Sequence, residues 1–193
     1  IIEEEFHKPT YINNDVNCFI LGERHYGLCS SFKDVIGIYL DDNCGTSVLM
    51  DDKAFLGKHA IFKDIKCLSD AFYNHIHYYR KSYLKTIKDL SILCSCFEEE
   101  WFDMPDHYAW QDLGCLIGKL IAILLSNFNP KIIVLGGNLS RFYPYFSYAI
   151  DNCLYKFLHP EVLLNMILVT SMVKNPKPLG ASTLCKKKIH VKM

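Results

Sequence analysis

The sequence lacks an excess of charge of either sign. Its 21 basic residues balance 21 acidic ones, so the formal net charge is zero, and the electrostatic footprint of a protein that binds nucleic acid or a membrane is missing. The basic cluster Lys186–Lys188 is typical of a solvated tail. The longest apolar run, Leu113–Leu125, is interrupted by Lys119 and is too short to span a bilayer. We therefore expect no direct contact of this chain with DNA or with a membrane.

The cysteines lack the arrangement of a disulfide framework or a zinc site. There are nine of them, an odd number, scattered, without paired zinc spacing and without a signal peptide. Cys94 and Cys96 form a lone C-x-C, which is too little for a metal site. This usage indicates a reducing, cytoplasmic location with mostly buried free thiols.

Length and composition fit one domain, or one lobe of a larger protein, because half of the residues are apolar. The first six residues have no initiator Met and are typical of the end of a helix. We therefore expect that a larger protein has lost its front part.

The hydrophobic patterns predict an antiparallel meander followed by alternating helices and strands. This order is typical of a mixed sheet with helices on its faces. The predicted elements are a helix from Asn13-Asn14-Asp15 to Gly27, strands Val35–Leu40 and Ser47–Met50, turns Asp41–Thr46 and Asp51–Lys53, helices 69–101 and Ala109–Asn127, a strand from Lys131, a helix Phe142–Leu158, a strand Leu163–Thr170, and a short helix after Leu179–Ser182.

The strand that starts at Lys131 ends abruptly in Gly136-Gly137. Two glycines allow positive φ and leave no side chain in the way, so the backbone can come close to another group. In open α/β sheets ligands lie beyond the carboxyl ends of the strands. The alternative is a plain tight turn.

Three blocks of sequence together carry a family resemblance. They are Tyr11–Glu23, then Val35–Leu40 with Val48–Lys53, and finally Asn129–Ser140 with Leu179–Ser182. They resemble the ROK family of bacterial sugar kinases and sugar-responsive transcription regulators, whose patterns are E-N-D-A-N-x-x-x-x-G-E in the first block and D-P-x-x-I-V-L-G-G-G in the third.

The resemblance implies an α/β fold of the actin/hexokinase (ribonuclease H-like) type, a mixed sheet with helices on its faces. It covers essentially the whole chain but only the second lobe of that fold. Residues 1–193 would thus be a C-terminal lobe. The first lobe with its phosphate loop, and the winged helix-turn-helix through which family regulators bind DNA, would lie outside the chain. We also expect a homodimer.

The resemblance further assigns sugar-contact roles to Asn14 and Asp15. In family kinases the Asp is also the catalytic base, since a sugar hydroxyl that attacks a phosphate needs a carboxylate to accept its proton. The alternative is that Asp15 merely caps the helix that begins there.

The family's phosphate-binding turn, G-T-G-I-G-G-G, is poorly matched by residues 41–47. Gly45 and Thr46 remain as nucleotide-binding candidates, and Gly136 and Gly137 match the turn that lies against the adenosine. Asp41 and Asp42 would repel phosphate by about 4 kcal/mol per pair, at roughly 4 Å and an effective dielectric near 20. A bridging Mg²⁺ could offset this repulsion.

The family's zinc motif is eroded as well. By resemblance, His59 stands for a His that contacts sugar and zinc, and Cys67 stands for the last zinc Cys, while the C-x-C part is missing and Ser69 replaces a sugar-binding Glu. A structural zinc site needs four ligands. We therefore predict no metal.

These observations favour a carbohydrate-sensing, kinase-like domain of a transcription regulator, which binds a small sugar or sugar phosphate without phosphoryl transfer and without a cofactor. One alternative is an ATP-dependent sugar kinase that uses Mg²⁺, with Asp15 as base. Another is a lobe kept only for dimerisation through the helices 109–127 and 142–158.

Overall fold

The computed structural model describes residues 2–41, 44–54, 74 and 107–190 of the chain. Almost all of the helix predicted over 69–101, together with His59, Cys67 and Ser69, lies outside these residues. The described elements are helices α1 (Ile2–Phe6) and α2 (Asp15–Tyr26), strands β1 (Val35–Leu40), β2 (Cys44–Met50) and β3 (Lys53–Ala54), helix α3 (His107–Phe128), strand β4 (Ile132–Gly136), a 3₁₀ helix (Asn138–Phe142), helices α4 (Tyr143–Phe157) and α5 (Pro160–Leu164), strand β5 (Ile167–Thr170) and helix α6 (Pro176–His190).

The strands form one mixed sheet in the order β3-β2-β1-β4-β5. Strands β1, β2 and β3 pair antiparallel, which confirms the predicted meander. Strands β4 and β5 then add to β1 in parallel. The meander and the helix–strand units therefore share a single sheet, as predicted from their order in the sequence.

Helices cover both faces of this sheet. Since alternate residues of each strand point to opposite sides, each strand contributes side chains to both faces. On one face Ile36, Ile38, Ile133 and Leu135 pack with α3 and α4. On the other face Val35, Ile132 and Val134 pack with Phe19 and Ile20 of α2, against which α6 lies. The strands β1 and β4 are thus buried on both faces, which explains their continuous apolar sequence.

Helix α3 is strongly apolar. Among the described residues, Trp110–Phe128 is the one segment long and apolar enough to span a bilayer, and half of it is buried inside the fold. Its side chains Leu113, Ile117, Ile121 and Leu125 are part of the main core. Burial between the sheet and α4 accounts for this composition in the structure described.

The strand predicted over Leu163–Thr170 is wrong in its first half. Residues 160–164 form helix α5, and the strand begins only at Ile167. His159 precedes the helix and Pro160 occupies its first position. Proline is favoured there because its fixed φ suits the first turn and the missing N–H has no helical partner.

Two other predicted boundaries are also corrected. The turn after β1 is shorter than expected, so Gly45 and Thr46 lie in β2, paired with Tyr39 and Ile38. The last helix begins at Pro176, ahead of the predicted start. The sequence has prolines at positions 176 and 178, and proline is typical of loops, but it is also tolerated in the first turn of a helix.

Candidate functional site

The parallel strands β1, β4 and β5 end at one edge of the sheet. Asp41, Gly137 and Ser171 follow them directly. Gly45, Tyr39 and Gly136 lie in register across the neighbouring strands β2, β1 and β4. Several of the residues predicted for the site therefore come together at the edge where ligands bind in sheets of this kind.

The N-terminus of α2 presents Asn14 and Asp15. The side-chain oxygen of Asn14, the N-cap residue, accepts a hydrogen bond from the Val16 N–H at 2.8 Å. Asp15 Oδ1 also accepts from that N–H, at 2.9 Å. Asn14 thus already supplies the cap that was the alternative role of Asp15, and the side chain of Asp15 is 62% exposed, so its carboxylate is accessible to a ligand.

Asp15 is paired with Lys177, the second residue of α6. Lys177 Nζ donates to Asp15 Oδ2 at 2.7 Å and lies 3.6 Å from the centre of the Tyr39 ring. Burial acts to lower the pKa of Lys177, but Asp15, Tyr39 and Asp41 together raise it above its ordinary value. Lys177 is therefore a firmly charged cation between the sugar-contact candidates and the end of β1.

The Gly136-Gly137 turn is held close to its neighbours. A side chain at Gly136 would meet the Phe19 ring at 2.4 Å, and one at Gly137, whose φ is +87°, would meet the Leu40 carbonyl oxygen at 2.2 Å. Close packing therefore explains why both positions hold glycine. Their predicted contact with a nucleotide stays a prediction.

A carboxylate already binds the backbone after this turn. Asp41 Oδ1 accepts a hydrogen bond from the Asn138 N–H at 2.8 Å. Asp41 follows β1 and Asn138 opens the 3₁₀ helix after β4. The chain thus uses one of its own acidic side chains to close the gap between the two strand ends.

Gly45 also packs tightly, since a side chain there would meet Val16 Cγ2 at 2.6 Å. Ser47 lies two positions further along β2 and is buried. Its hydroxyl Oγ donates a hydrogen bond to Asn17 Oδ1 at 2.5 Å. Asn17 Nδ2 in turn donates to Asn13 Oδ1 at 3.1 Å. This chain of hydrogen bonds fixes the start of α2 against β2 and so positions Asn14 and Asp15.

Glu23 is a buried acid that closes the first sequence block. Its side chain is fully buried, Oε1 accepts a hydrogen bond from the Ser171 hydroxyl, and Oε2 has no partner among the described residues. Burial raises the pKa of Glu23, although the bond from Ser171 acts in the opposite direction. Glu23 thus ties α2 to the end of β5.

Sequence reasoning missed Lys177, which pairs with Asp15, and Tyr39, over whose ring Lys177 lies. Lys177 is 162 positions away in the chain, and no local pattern marks it or Tyr39. Asn17 could have been found, because it occupies the second Asn of the family pattern. His59 lies outside the described residues, so its predicted sugar contact stays a prediction.

The six cysteines of the described part are free thiols. Cys18, Cys29, Cys44 and Cys153 are buried. Burial raises the pKa of Cys29 to about 12, so its thiol stays protonated and unreactive at neutral pH. These thiols fill the core as small apolar groups.

Comparison with known proteins gives a family and a fold. The sequence profile of the ROK family matches residues 1–65 and 92–188. An uncharacterized protein of Clostridium perfringens (strain 13 / Type A) is 27% identical over 187 residues, which are 91% of this chain and 62% of that protein. The DNA-binding transcriptional dual regulator NagC of Escherichia coli (strain K12) is 20% identical over 211 residues, 96% of this chain and 52% of NagC. The chain spans less than two thirds of the length of either relative.

The same fold occurs in solved structures. A ROK family glucokinase from Streptomyces griseus, crystallised with glucose and AMPPNP, superposes with a TM-score of 0.73 at 16% identity, over 95% of this chain and 70% of that one. The predicted α/β lobe of the actin/hexokinase type is confirmed by this likeness. Regulators and sugar kinases both stand among the similar proteins, so similarity alone does not choose between the two activities.

Proposed function

The chain belongs to the ROK family, and from this premise we propose that it is the carbohydrate-sensing C-terminal lobe of a transcription regulator, which binds a sugar without phosphorylating it. The DNA contact belongs to a domain outside this chain, as expected from the length of the regulator it resembles. The ligand is a small sugar or sugar phosphate.

The observation that carries the proposal is the contact between Asp41 and the turn after β4. Asp41 opens the hairpin turn where the family has phosphate-binding glycines, and its carboxylate holds the Asn138 N–H. A phosphate oxygen brought to roughly 4 Å from this carboxylate would be repelled by about 4 kcal/mol at an effective dielectric near 20. These residues therefore do not suit a nucleotide, and repulsion of this size would weaken ATP binding by about a thousandfold.

The sugar-contact side of the site keeps two of the family's residues. Asn14 and Asp15 keep the family types at the start of α2, and Asp15 is exposed beside Tyr39 and Lys177. The carboxylate oxygens of Asp15 and the amide of Asn14 are groups that form hydrogen bonds with sugar hydroxyls. The relatives point the same way, since curated relatives include an N-acetylglucosamine repressor and a xylose repressor.

The second candidate is an ATP-dependent sugar kinase. It is favoured by Asp15 at the position of the family's catalytic base and by the fold shared with the glucokinase of Streptomyces griseus. Mg²⁺ would then have to offset the charge of Asp41, and Gly45, Thr46, Gly136 and Gly137 would face the nucleotide. The arrangement of Asp41 makes this the weaker candidate.

Location and assembly belong to the same proposal. Buried free thiols suit a reducing cytoplasm. The side chains of Tyr148 and Tyr155 on α4 are 73% and 67% exposed, and large exposed aromatic residues are favoured in interfaces. We therefore expect a cytoplasmic homodimer in which α4 takes part.

Calorimetry and a coupled kinase assay on the full-length protein test the proposal together. We expect binding of at least one of glucose, N-acetylglucosamine and xylose or their phosphates, with no turnover of Mg²⁺-ATP. Asp15→Asn is expected to weaken binding at least tenfold, because charged hydrogen bonds to hydroxyls contribute about 1.5–3 kcal/mol.

The melting temperature is the control for the Asp15→Asn variant. It should barely change, since Asn14 supplies the cap. A kcat of about one per second or more, within the usual range of enzymes, would instead establish the kinase. Loss of stability with unchanged sugar affinity would show that Asp15 has a structural role alone.

A further inference from the structure

The ion pair between Asp15 and Lys177 has unused hydrogen-bonding capacity on both sides. An ionised carboxylate has about four acceptor positions, and the Val16 N–H and Lys177 Nζ use two of those on Asp15. An ammonium has three donors, of which one goes to Asp15. Both side chains are at least partly exposed, at 62% for Asp15 and 28% for Lys177. The pair can therefore receive a ligand.

The position of the Lys177 ammonium is fixed from two directions. It lies over the Tyr39 ring at 3.6 Å, where the negative face of the ring attracts a cation. The backbone behind it is held as well, because α6 packs closely on α2, with Gly180 against the Cys18 carbonyl and Gly22 against the Pro176 carbonyl. A lysine held in this way loses little further freedom when a ligand binds, which favours affinity.

A hydroxyl group can donate one hydrogen bond and accept others. Placed against both members of the pair, which stay in contact at 2.7 Å, it would donate its proton to a free acceptor position of Asp15 and accept an N–H from Lys177. We propose that Lys177 is a further sugar-binding residue, which donates to the same hydroxyl oxygen whose proton Asp15 accepts. This inference rests on the proposed function, since Asp15 must face the sugar.

Titration calorimetry of full-length protein with glucose, N-acetylglucosamine and xylose tests the inference. Lys177→Met keeps the apolar stem over Tyr39 and removes the charge, and we expect it to weaken sugar binding at least tenfold. Lys177→Arg keeps the charge and should bind with intermediate affinity. Lys174→Met is the matched control, since Lys174 is exposed and lies just before α6, and its affinity should equal that of the wild type.

A double-mutant cycle separates a shared hydroxyl from two independent contacts. If Asp15 and Lys177 bind one hydroxyl, the variant with both Asp15→Asn and Lys177→Met should bind little worse than the weaker single variant. Additive losses would overturn the inference. So would wild-type or tighter affinity in Lys177→Met while Asp15→Asn loses binding, and that result would leave the proposed function intact.

Two remaining outcomes are equally decisive. If the wild type binds none of the three sugars or their phosphates, the proposed function fails and this inference fails with it. If the melting curve shows that Lys177→Met does not fold, the Lys177→Arg variant decides the question alone. Wild-type affinity of Lys177→Arg for all three sugars would contradict the inference, because arginine and lysine place their donors differently. A measurable loss of affinity would support the inference.

Discussion

Glu23 is an acidic residue whose side chain lies in the interior of the protein, where a negative charge is unfavourable. Its carboxyl group is fully buried and receives one hydrogen bond, from Ser171. Burial raises its pKa above the value of 4.5 expected for an exposed Glu, because a buried carboxylate loses the solvation of its charge. The protonation of this residue is therefore linked to folding.

The sign of this linkage follows from the direction of the pKa. Because the pKa of Glu23 is higher in the folded state, folding takes up a proton between the two pKa values. The contribution of Glu23 to stability is thus full below the unfolded pKa and is lost as the pH rises through the folded pKa. We expect Glu23→Gln, which cannot ionise, to remove the fall in the free energy of unfolding that the wild type shows as the pH rises from the unfolded pKa through the folded pKa of Glu23.

Urea unfolding at a series of pH values measures this effect. Glu161→Gln serves as the control, because Glu161 is exposed on α5 and should leave the pH dependence as it is in the wild type. An unchanged slope in Glu23→Gln would mean that Glu23 is ionised and stabilised in the folded protein by a partner outside the described residues.

The residues of the site differ in how far the sequence could reveal them. Asn14 and Asp15 follow from a local pattern, and the structure adds that Asn14 caps α2. Lys177 and Asp41 could not be foreseen as partners of Asp15 and Asn138, since the pairs are 162 and 97 positions apart. Such contacts depend on the packing of whole elements, which a single sequence does not specify.

At the scale of elements, the contact between α2 and α6 determines the geometry of the site. A side chain at Gly180 would come within 1.7 Å of the Cys18 carbonyl oxygen, and one at Gly22 within 2.1 Å of the Pro176 carbonyl oxygen. The two helices therefore approach backbone to backbone, and this approach brings Lys177 within reach of Asp15.

Gly180→Ala tests the importance of this contact. In an exposed part of a helix the change would stabilise the protein by about 0.4–1 kcal/mol. Here the added methyl group meets backbone, and overpacking of this kind destabilises by about 1–3 kcal/mol. We expect a net loss of about 2 kcal/mol in chemical denaturation, together with weaker sugar binding, because α6 would move Lys177 away from Asp15.

Ser182→Ala on the exposed side of the same helix is the control for Gly180→Ala. Ser182 Oγ donates only to the Leu179 carbonyl, so the free energy of unfolding should change by less than about 0.5 kcal/mol. Stabilisation by Gly180→Ala would show that the helices can separate without loss, and would leave the position of Lys177 without its structural cause.

The order of elements was readable from the sequence because apolar periodicity reports burial. Strand β1 has the predicted bounds, and the buried helix α3 differs from its prediction by only a few residues at the start. Helix starts at Pro160 and Pro176 were missed, since proline ends helices and also begins them. Deciding between these roles requires the tertiary contacts of the following turn.

At the scale of the whole molecule, the described strands form one mixed sheet, and the candidate site lies at the carboxyl ends of its parallel strands. The chain spans 62% and 52% of the length of two relatives. Sugar binding is therefore measured on the full-length protein.

We expect the full-length protein to carry no stoichiometric zinc in this lobe. A structural zinc site needs four ligands, mostly thiolates and imidazoles. The family's C-x-C is missing from its place between His59 and Cys67, so these two residues alone remain of the family's ligands. Within the described residues, no three metal-binding side chains lie together. Elemental analysis after purification without chelator should give well under one zinc per chain. One zinc per chain would instead point to His59, Cys94 and Cys96 as ligands. Loss of the zinc in Cys96→Ser would then identify that site, provided that the control variant Cys185→Ser, at an exposed cysteine, keeps its zinc.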